Sequence, residues 1–239
     1  MPESQLTGGP FHLDSDGVLR SPLLDAEAWL EHGFGTRLAS DWPNAPLLLK
    51  QIHSDRVVEA GAGAPREEAD AVITALPGVW LPVRTADCLP ILLADPVHHA
   101  VAAIHAGWRG VVGGIAAKTV AGMSRRYGSR PGGLLAAIGP GIGVCCFEVG
   151  PEVAEQFRIA HPEALREAQE IAPQTREGLR EKAHIDLAAA VVKQLTEAGI
   201  SPERIAQARR CTRCDAALFE SWRRDRESAG RMVSAIRVV

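Results

Sequence analysis

A basic excess is missing from this chain: its formal net charge is −3, so no positive field marks it as a nucleic-acid binder. The opening Met1-Pro2-Glu3-Ser4-Gln5-Leu6 has neither the basic n-region nor the apolar h-region of a secretory signal. No uninterrupted apolar run is long enough to cross a bilayer as a helix. A cytoplasmic location is the expectation that follows, with no membrane partner. Internal repeats, heptad runs and low-complexity blocks are absent. Aromatic rings are few, one Tyr and five Phe, which leaves five Trp as the main large ones. The five cysteines are odd in number and not spaced like a small secreted scaffold. In a reducing compartment they read instead as metal ligands or nucleophiles. What remains is an ordinary globular balance, 46% hydrophobic and 23% charged over 239 residues. That length buries a substantial core, as one large domain or two small ones.

Turn residues divide the chain into short apolar runs. Residues 1–46, rich in Pro and Gly, read as short strands and turns. Residues 47–53 read as a buried strand ending at His53, and 61–68 as a polar loop. Four strand-like runs follow between 70 and 105, separated by Pro77-Gly78 and Asp95-Pro96. His53 and His105 then fall at strand ends and Cys88 at a strand start. A common sheet edge would unite them across gaps of 35 and 17 residues. Residues 111–127 read as one helix, with Ile115, Val120 and Met123 near helical spacing. Residues 134–138 read as a buried strand entering a glycine-rich loop, and Pro151 as the first residue of a helix. The polar stretch 162–183 reads as helical pieces or a loop, and His184 as a helix start. An amphipathic helix is expected over 186–198, stopped by Gly199, and a closing strand over 232–239. Strands and helices mix without strict βαβ alternation, which favours an α+β fold.

Chemistry concentrates in a few motifs. Two imidazoles and a thiolate, from His53, Cys88 and His105, suffice to hold a transition metal with a coordination position left open. The same set suits catalytic zinc or a copper site. Two readings without metal fit the spacing equally: buried structural side chains, or a Cys88 nucleophile with a His base oriented by Asp87. In His105-Ala106-Gly107-Trp108-Arg109-Gly110, small residues at a strand-to-helix turn admit a ligand. Arg109 there would clamp a phosphate; a tight turn plugged by Trp108 is the other reading. The run Gly139 to Gly150 sets a glycine-rich loop before Cys145, Cys146, Phe147 and Glu148. Phe147 would stack on a base and Glu148 accept hydrogen bonds from it. Adjacent cysteines seldom share a metal, so at least one reads as packing. Cys211-Thr212-Arg213-Cys214 is a lone C-x-x-C, suggesting redox chemistry or half a zinc site that no second pair completes. Arg223, Arg224 and Arg231 form a basic group, solvated or in contact with an anion.

Taken together these blocks resemble the laccase-domain family, once labelled multicopper polyphenol oxidases and now described as purine nucleoside phosphorylases. The resemblance rests on Gln51-Ile52-His53-Ser54, Ala69-Asp70-Ala71, Thr85 through Pro90 and His105 through Gly110. It continues in Gly139 through Gly150, Cys211-Thr212, Ser221 through Asp225 and Gly230-Arg231, and spans roughly residues 30–239. It implies one catalytic domain over 1–239, of layered mixed β-sheets flanked by helices, similar to a toxin-like cysteine hydrolase fold. It implies zinc, with copper possible, on His53, Cys88 and His105. It also implies phosphorolysis of adenosine, inosine and methylthioadenosine, with adenosine deamination as a side activity. Asp87 then belongs with the catalytic residues, and Arg109, Phe147, Glu148 and Arg223 with substrate binding. The chain departs from the family pattern after Arg37, where a longer Gly- and Asn-containing segment is shortened, and at Phe219-Glu220 and Trp222.

Two other functions compete. A copper-dependent phenol oxidase needs many more imidazoles than eight His without a His-x-His pair. A metal-free Cys-His amide hydrolase would use Cys88 directly. The deaminase signature H-x-E with P-C-x-x-C is absent, so deamination would not follow that fold's route.

Overall fold

The computed structural model describes residues 11–39, 42–61, 67–166 and 182–239. At its centre is a six-stranded mixed sheet. The order is Ile205–Gln207, Leu135–Ile138, Leu89–Asp95, Ala100–Ala106, Ala71–Thr74 and Val57–Glu59. The middle strands are antiparallel, and the two edge strands pair in parallel. Leu89–Asp95 and Ala100–Ala106 are buried along their whole length, so they read as continuous apolar runs rather than alternating ones.

Strand geometry sends successive side chains to opposite faces, and here both faces are covered. Leu89, Ile91, Leu93, Ala102 and Ile104 pack with Val120, Met123, Val191 and Leu195 of the helices Ile115–Tyr127 and Leu187–Glu197. Leu92, Ala94, Val101 and Ala103 pack with Phe34, Leu81, Val83 and Ile236 of a second sheet. That sheet is antiparallel throughout: His12–Leu13, Val18–Arg20, Leu30–Gly35, Met232–Val238 and Leu81–Thr85. The layers are thus helices, mixed sheet and antiparallel sheet, as the α+β expectation of layered sheets flanked by helices requires. Gly139 permits the sheets to close, because a Cβ there would meet the Phe34 ring at 2.3 Å.

The expected closing strand is present as Met232–Val238, and it lies between two partners rather than at an edge. The expected helix at 186–198 is Leu187–Glu197, capped by Asp186, whose carboxylate accepts the Ala189 amide at 3.0 Å. Gly199 follows with φ 102°, a conformation that glycine reaches without strain. Pro151 opens Pro151–Ala160 as expected.

Three expectations are corrected. The strand over 47–53 shrinks to Leu49–Lys50, paired in parallel with Glu67–Glu68, and His53 stands in a turn with φ 60°. The amides of Ile52, His53 and Ser54 turn to the Asp70 carboxylate instead of a neighbouring strand. The single helix over 111–127 is two, Trp108–Val112 and Ile115–Tyr127, broken at Gly113-Gly114, where Gly114 has φ 81°. His184 starts no helix; it pairs in the ladder Leu165–Arg166 with His184–Ile185. The parts of the expectations for 1–46, 61–68 and 162–183 that fall on 1–10, 40–41, 62–66 and 167–181 lie outside the described residues. Among the described residues no helix is long and apolar enough to cross a membrane.

Candidate active site

Three elements deliver the trio. Cys88 directly precedes Leu89–Asp95, His105 is next to last in the adjoining Ala100–Ala106, and His53 comes from the turn above the sheet. Their ligand atoms lie within 4.8 Å of one another, and the two imidazole rings stand edge to face with centroids 4.8 Å apart. Gly107 makes the room. A Cβ there would sit 3.0 Å from His53 Cδ2 and 3.1 Å from Cys88 Sγ. Its φ of −75° is open to any residue, so space is what this position demands.

Asp70 holds the arrangement from behind. It is fully buried. Oδ1 accepts the His53 amide at 3.0 Å and His105 Nδ1–H at 2.7 Å. Oδ2 accepts the Ile52 and Ser54 amides at 3.2 and 2.6 Å and the Ser54 hydroxyl at 2.7 Å. The His105 bond fixes the ring's tautomer and leaves Nε2 for the trio. Burial pushes the Asp70 carboxyl up, but hydrogen bonds from His105 and Ser54 overcome it and bring it down to about 2. Burial likewise disfavours charge on His105, and its bonds to Asp70 and Cys88 reverse that, raising it to about 9. Cys88 is pushed up by burial and pulled further down by His105 and His53, to about 6. These directions describe a thiolate next to imidazoles backed by a carboxylate, a donor set that suits a transition metal.

The trio forms part of the wall of a cavity of about 580 Å³. Asp87, Arg109, Phe147 and Arg223 line it too, together with Trp108, Trp222, Lys50, Arg84 and Arg231. Five cations against the single acid Asp87 make the rim electropositive. The Arg109 guanidinium lies over the Trp108 ring at 4.4 Å, and Arg223 over Phe147 at 5.5 Å. Asp87 does not reach either histidine of the trio. Its oxygens accept the Thr212 hydroxyl and the Arg223 amide, each at 2.6 Å, and its backbone is left-handed at φ 89°. Glu148 is not brought into the cavity wall. Its carboxylate pairs with Lys182 at 2.7 Å, and its carbonyl accepts Arg223 Nη1 at 2.8 Å.

Residues 36–239 match the family described as multi-copper polyphenol oxidoreductase laccase. The chain belongs to that family. A purine nucleoside phosphorylase of Deinococcus radiodurans is 43% identical over 189 residues, which cover 79% of this chain and 68% of that one. Adenosine deaminase RL5, from an unknown prokaryotic organism, is 42% identical over 231 residues, covering 92% and 83% of the two chains. A crystal structure of the Bacillus licheniformis hypothetical protein YfiH aligns with TM-score 0.82 at 27% identity, over 97% of this chain and all of the other.

Within this laccase-family chain, two features escaped the sequence reading. Asp70 was visible only as part of Ala69-Asp70-Ala71. Its signal is an acid set directly against the buried strand Ala71–Thr74, where an unpaired carboxylate would be costly. The second feature is the convergence of Cys145, Cys146, Cys211 and Cys214, whose sulfurs lie within 4.8 Å of one another. Both adjacent cysteines take part, and Cys146 is buried in the core as well, in line with the expectation that at least one packs.

Proposed function

We propose that this chain is a zinc-dependent purine nucleoside phosphorylase acting as one cytoplasmic catalytic domain. Its substrates are adenosine, inosine and methylthioadenosine, cleaved with inorganic phosphate to the free base and a ribose 1-phosphate. The observation that carries the reading is the His53, Cys88 and His105 trio in the wall of a cation-rimmed, aromatic-walled cavity. Its volume of about 580 Å³ lies in the range of small-molecule sites.

The donor set fits a metal: one thiolate and two imidazoles share a point kept clear by Gly107. A zinc ion held there supplies Lewis-acid polarisation of a substrate atom. The remaining work belongs to side chains. In phosphorolysis a phosphate oxygen bonds to C1′ as the C1′–N9 bond breaks. Arg109, Arg84 and Arg231 line the same cavity and neutralise the approaching phosphate. Phe147 and Trp222 offer flat apolar faces to the purine. Asp87 braces the wall, tying the Cys88 turn to Thr212 and Arg223.

A second reading, adenosine deamination, is supported by the 42% identical relative named adenosine deaminase RL5. The two separate on product. Metal-replete protein with adenosine and phosphate is expected to yield adenine and ribose 1-phosphate, whereas deamination yields inosine and ammonia without phosphate. A His105→Ala chain is the control, and no product above it would remove both readings. Stoichiometric copper with oxygen uptake on phenols would replace them with an oxidase, and an acyl adduct on Cys88 with an amide hydrolase.

A further inference from the structure

Four cysteines that nucleoside chemistry leaves unused meet beside the cavity wall. The sulfur of Cys214 is 3.7 Å from that of Cys145 and 3.4 Å from that of Cys146, and all four sulfurs with Cys211 fall within 4.8 Å. Sulfurs at about 2.3 Å around a tetrahedral zinc stand roughly 3.8 Å apart, close to the two separations from Cys214. All four are free thiols. Cys145 and Cys214 are exposed, so filling the core is not their role, although Cys146 also touches it.

The surrounding backbone is shaped to this cluster. A helical turn, with the Cys146 and Phe147 amides both bonded to the Gly143 carbonyl, lets two successive side chains point the same way. The Gly143 amide donates to Cys211 Sγ at 3.2 Å, and Arg213 Nη1 lies 3.6 Å from Cys146 Sγ. Both contacts favour anionic sulfur. A Cβ on Gly143 would come within 3.1 Å of Cys211 Cβ and 3.3 Å of Cys145 Sγ, so glycine is what admits the second loop.

We propose that Cys145, Cys146, Cys211 and Cys214 form a second metal site, a closed structural zinc centre that staples two walls of the cavity together. Four protein ligands leave no open position, which separates it from the trio. One wall is the loop that continues into Phe147; the other is the segment leading to Trp222 and Arg223. The two already touch Asp87 together: the Ile142 amide bonds its carbonyl at 2.7 Å and the Thr212 hydroxyl its carboxylate at 2.6 Å. Arg224 Nη1 binds the carbonyls of Thr212 and Arg213 at 3.0 and 3.1 Å. An ion between the loops therefore sets the spacing of Phe147 and Arg223.

Metal content per chain and zinc-edge X-ray absorption, on protein isolated with zinc under reducing conditions, test the site. A His53→Ala, His105→Ala double variant is expected to keep one ion with an all-sulfur shell at about 2.3 Å. Cys145→Ser with Cys214→Ser is expected to lose one ion and keep a mixed nitrogen and sulfur shell. Should that variant fail to fold, the histidine variant alone decides the question. A histidine variant without bound metal overturns the proposal, whether its cysteines are alkylatable or paired in disulfides. Absence of nucleoside turnover would leave this result untouched, since neither measurement reads activity.

Discussion

Replacing Asp70 with Asn tests what holds the His53, Cys88 and His105 trio in place. Asn keeps the shape but turns one acceptor into a donor. If its amide takes the place of Oδ2, it faces the Ile52 and Ser54 amides, both donors, and the Ser54 hydroxyl, which has to turn round to accept. Each lost hydrogen bond to a charged group costs roughly 1.5–3 kcal/mol before water repairs part of it. Breaking a buried charged pair costs about 3–5 kcal/mol in all. The pH dependence follows from the shifts. Asp70 falls from 3.8 to about 2 in the fold, so its stabilisation is complete above 3.8 and is lost as pH falls toward 2. By linkage this contributes on the order of 2 kcal/mol at neutral pH. His105 rises from 6.5 to about 9, so its share is whole below 6.5 and lost as pH climbs through 9. Urea unfolding of chelated wild type and Asp70→Asn is therefore expected to differ most between pH 3.8 and 6.5, the gap closing as pH falls toward 2 and narrowing, without closing, as pH climbs through 9. Metal competition assays on the same pair are expected to show roughly 10- to 100-fold weaker binding in the variant. Equal unfolding midpoints at pH 5 together with equal metal affinity would refute the reasoning.

Three further outcomes follow from the geometry. Gly107→Ala leaves the backbone at ease but crowds His53 and Cys88, so the variant should fold with a near-native melting temperature and bind metal more weakly by titration. Arg109→Ala removes a cation from the cavity wall. Steady-state kinetics should show KM for phosphate rising about tenfold while KM for the nucleoside changes little; equal effects on both would argue against a phosphate role. Phe34→Ala empties a fully buried ring between the sheets. It should cost about 3–5 kcal/mol in denaturant unfolding without altering metal stoichiometry.

Local rules read well where the signal was local. Asp186 and Gly199 mark the ends of a helix because capping and left-handed geometry depend on neighbouring residues only. The helix expected over 111–127 failed locally too, because Gly113-Gly114 outweighs an apolar spacing that runs through it. His53 failed for a distant reason. Leu47-Leu48-Leu49 looks like a strand, yet the amides just beyond it are claimed by Asp70. Glu148 looked like a base-binding acid next to Phe147, but its carboxylate turns to Lys182. An acid's direction in a loop follows from its partners, and those are set by the fold.

By itself the sequence determined which atoms were available: two imidazoles and a thiolate in compact motifs, apolar runs long enough for buried strands, and no excess of positive charge. Only the tertiary structure decided which of them meet. Antiparallel pairing of Leu89–Asp95 with Ala100–Ala106 puts Cys88 beside His105, and one buried carboxylate draws the His53 turn onto them. The same closure brings Cys145 and Cys146 to Cys211 and Cys214 across more than sixty residues, a meeting that no short spacing announces. Ligand chemistry is a property of residue types, whereas a site is a property of distances, and those are fixed only when the sheets pack.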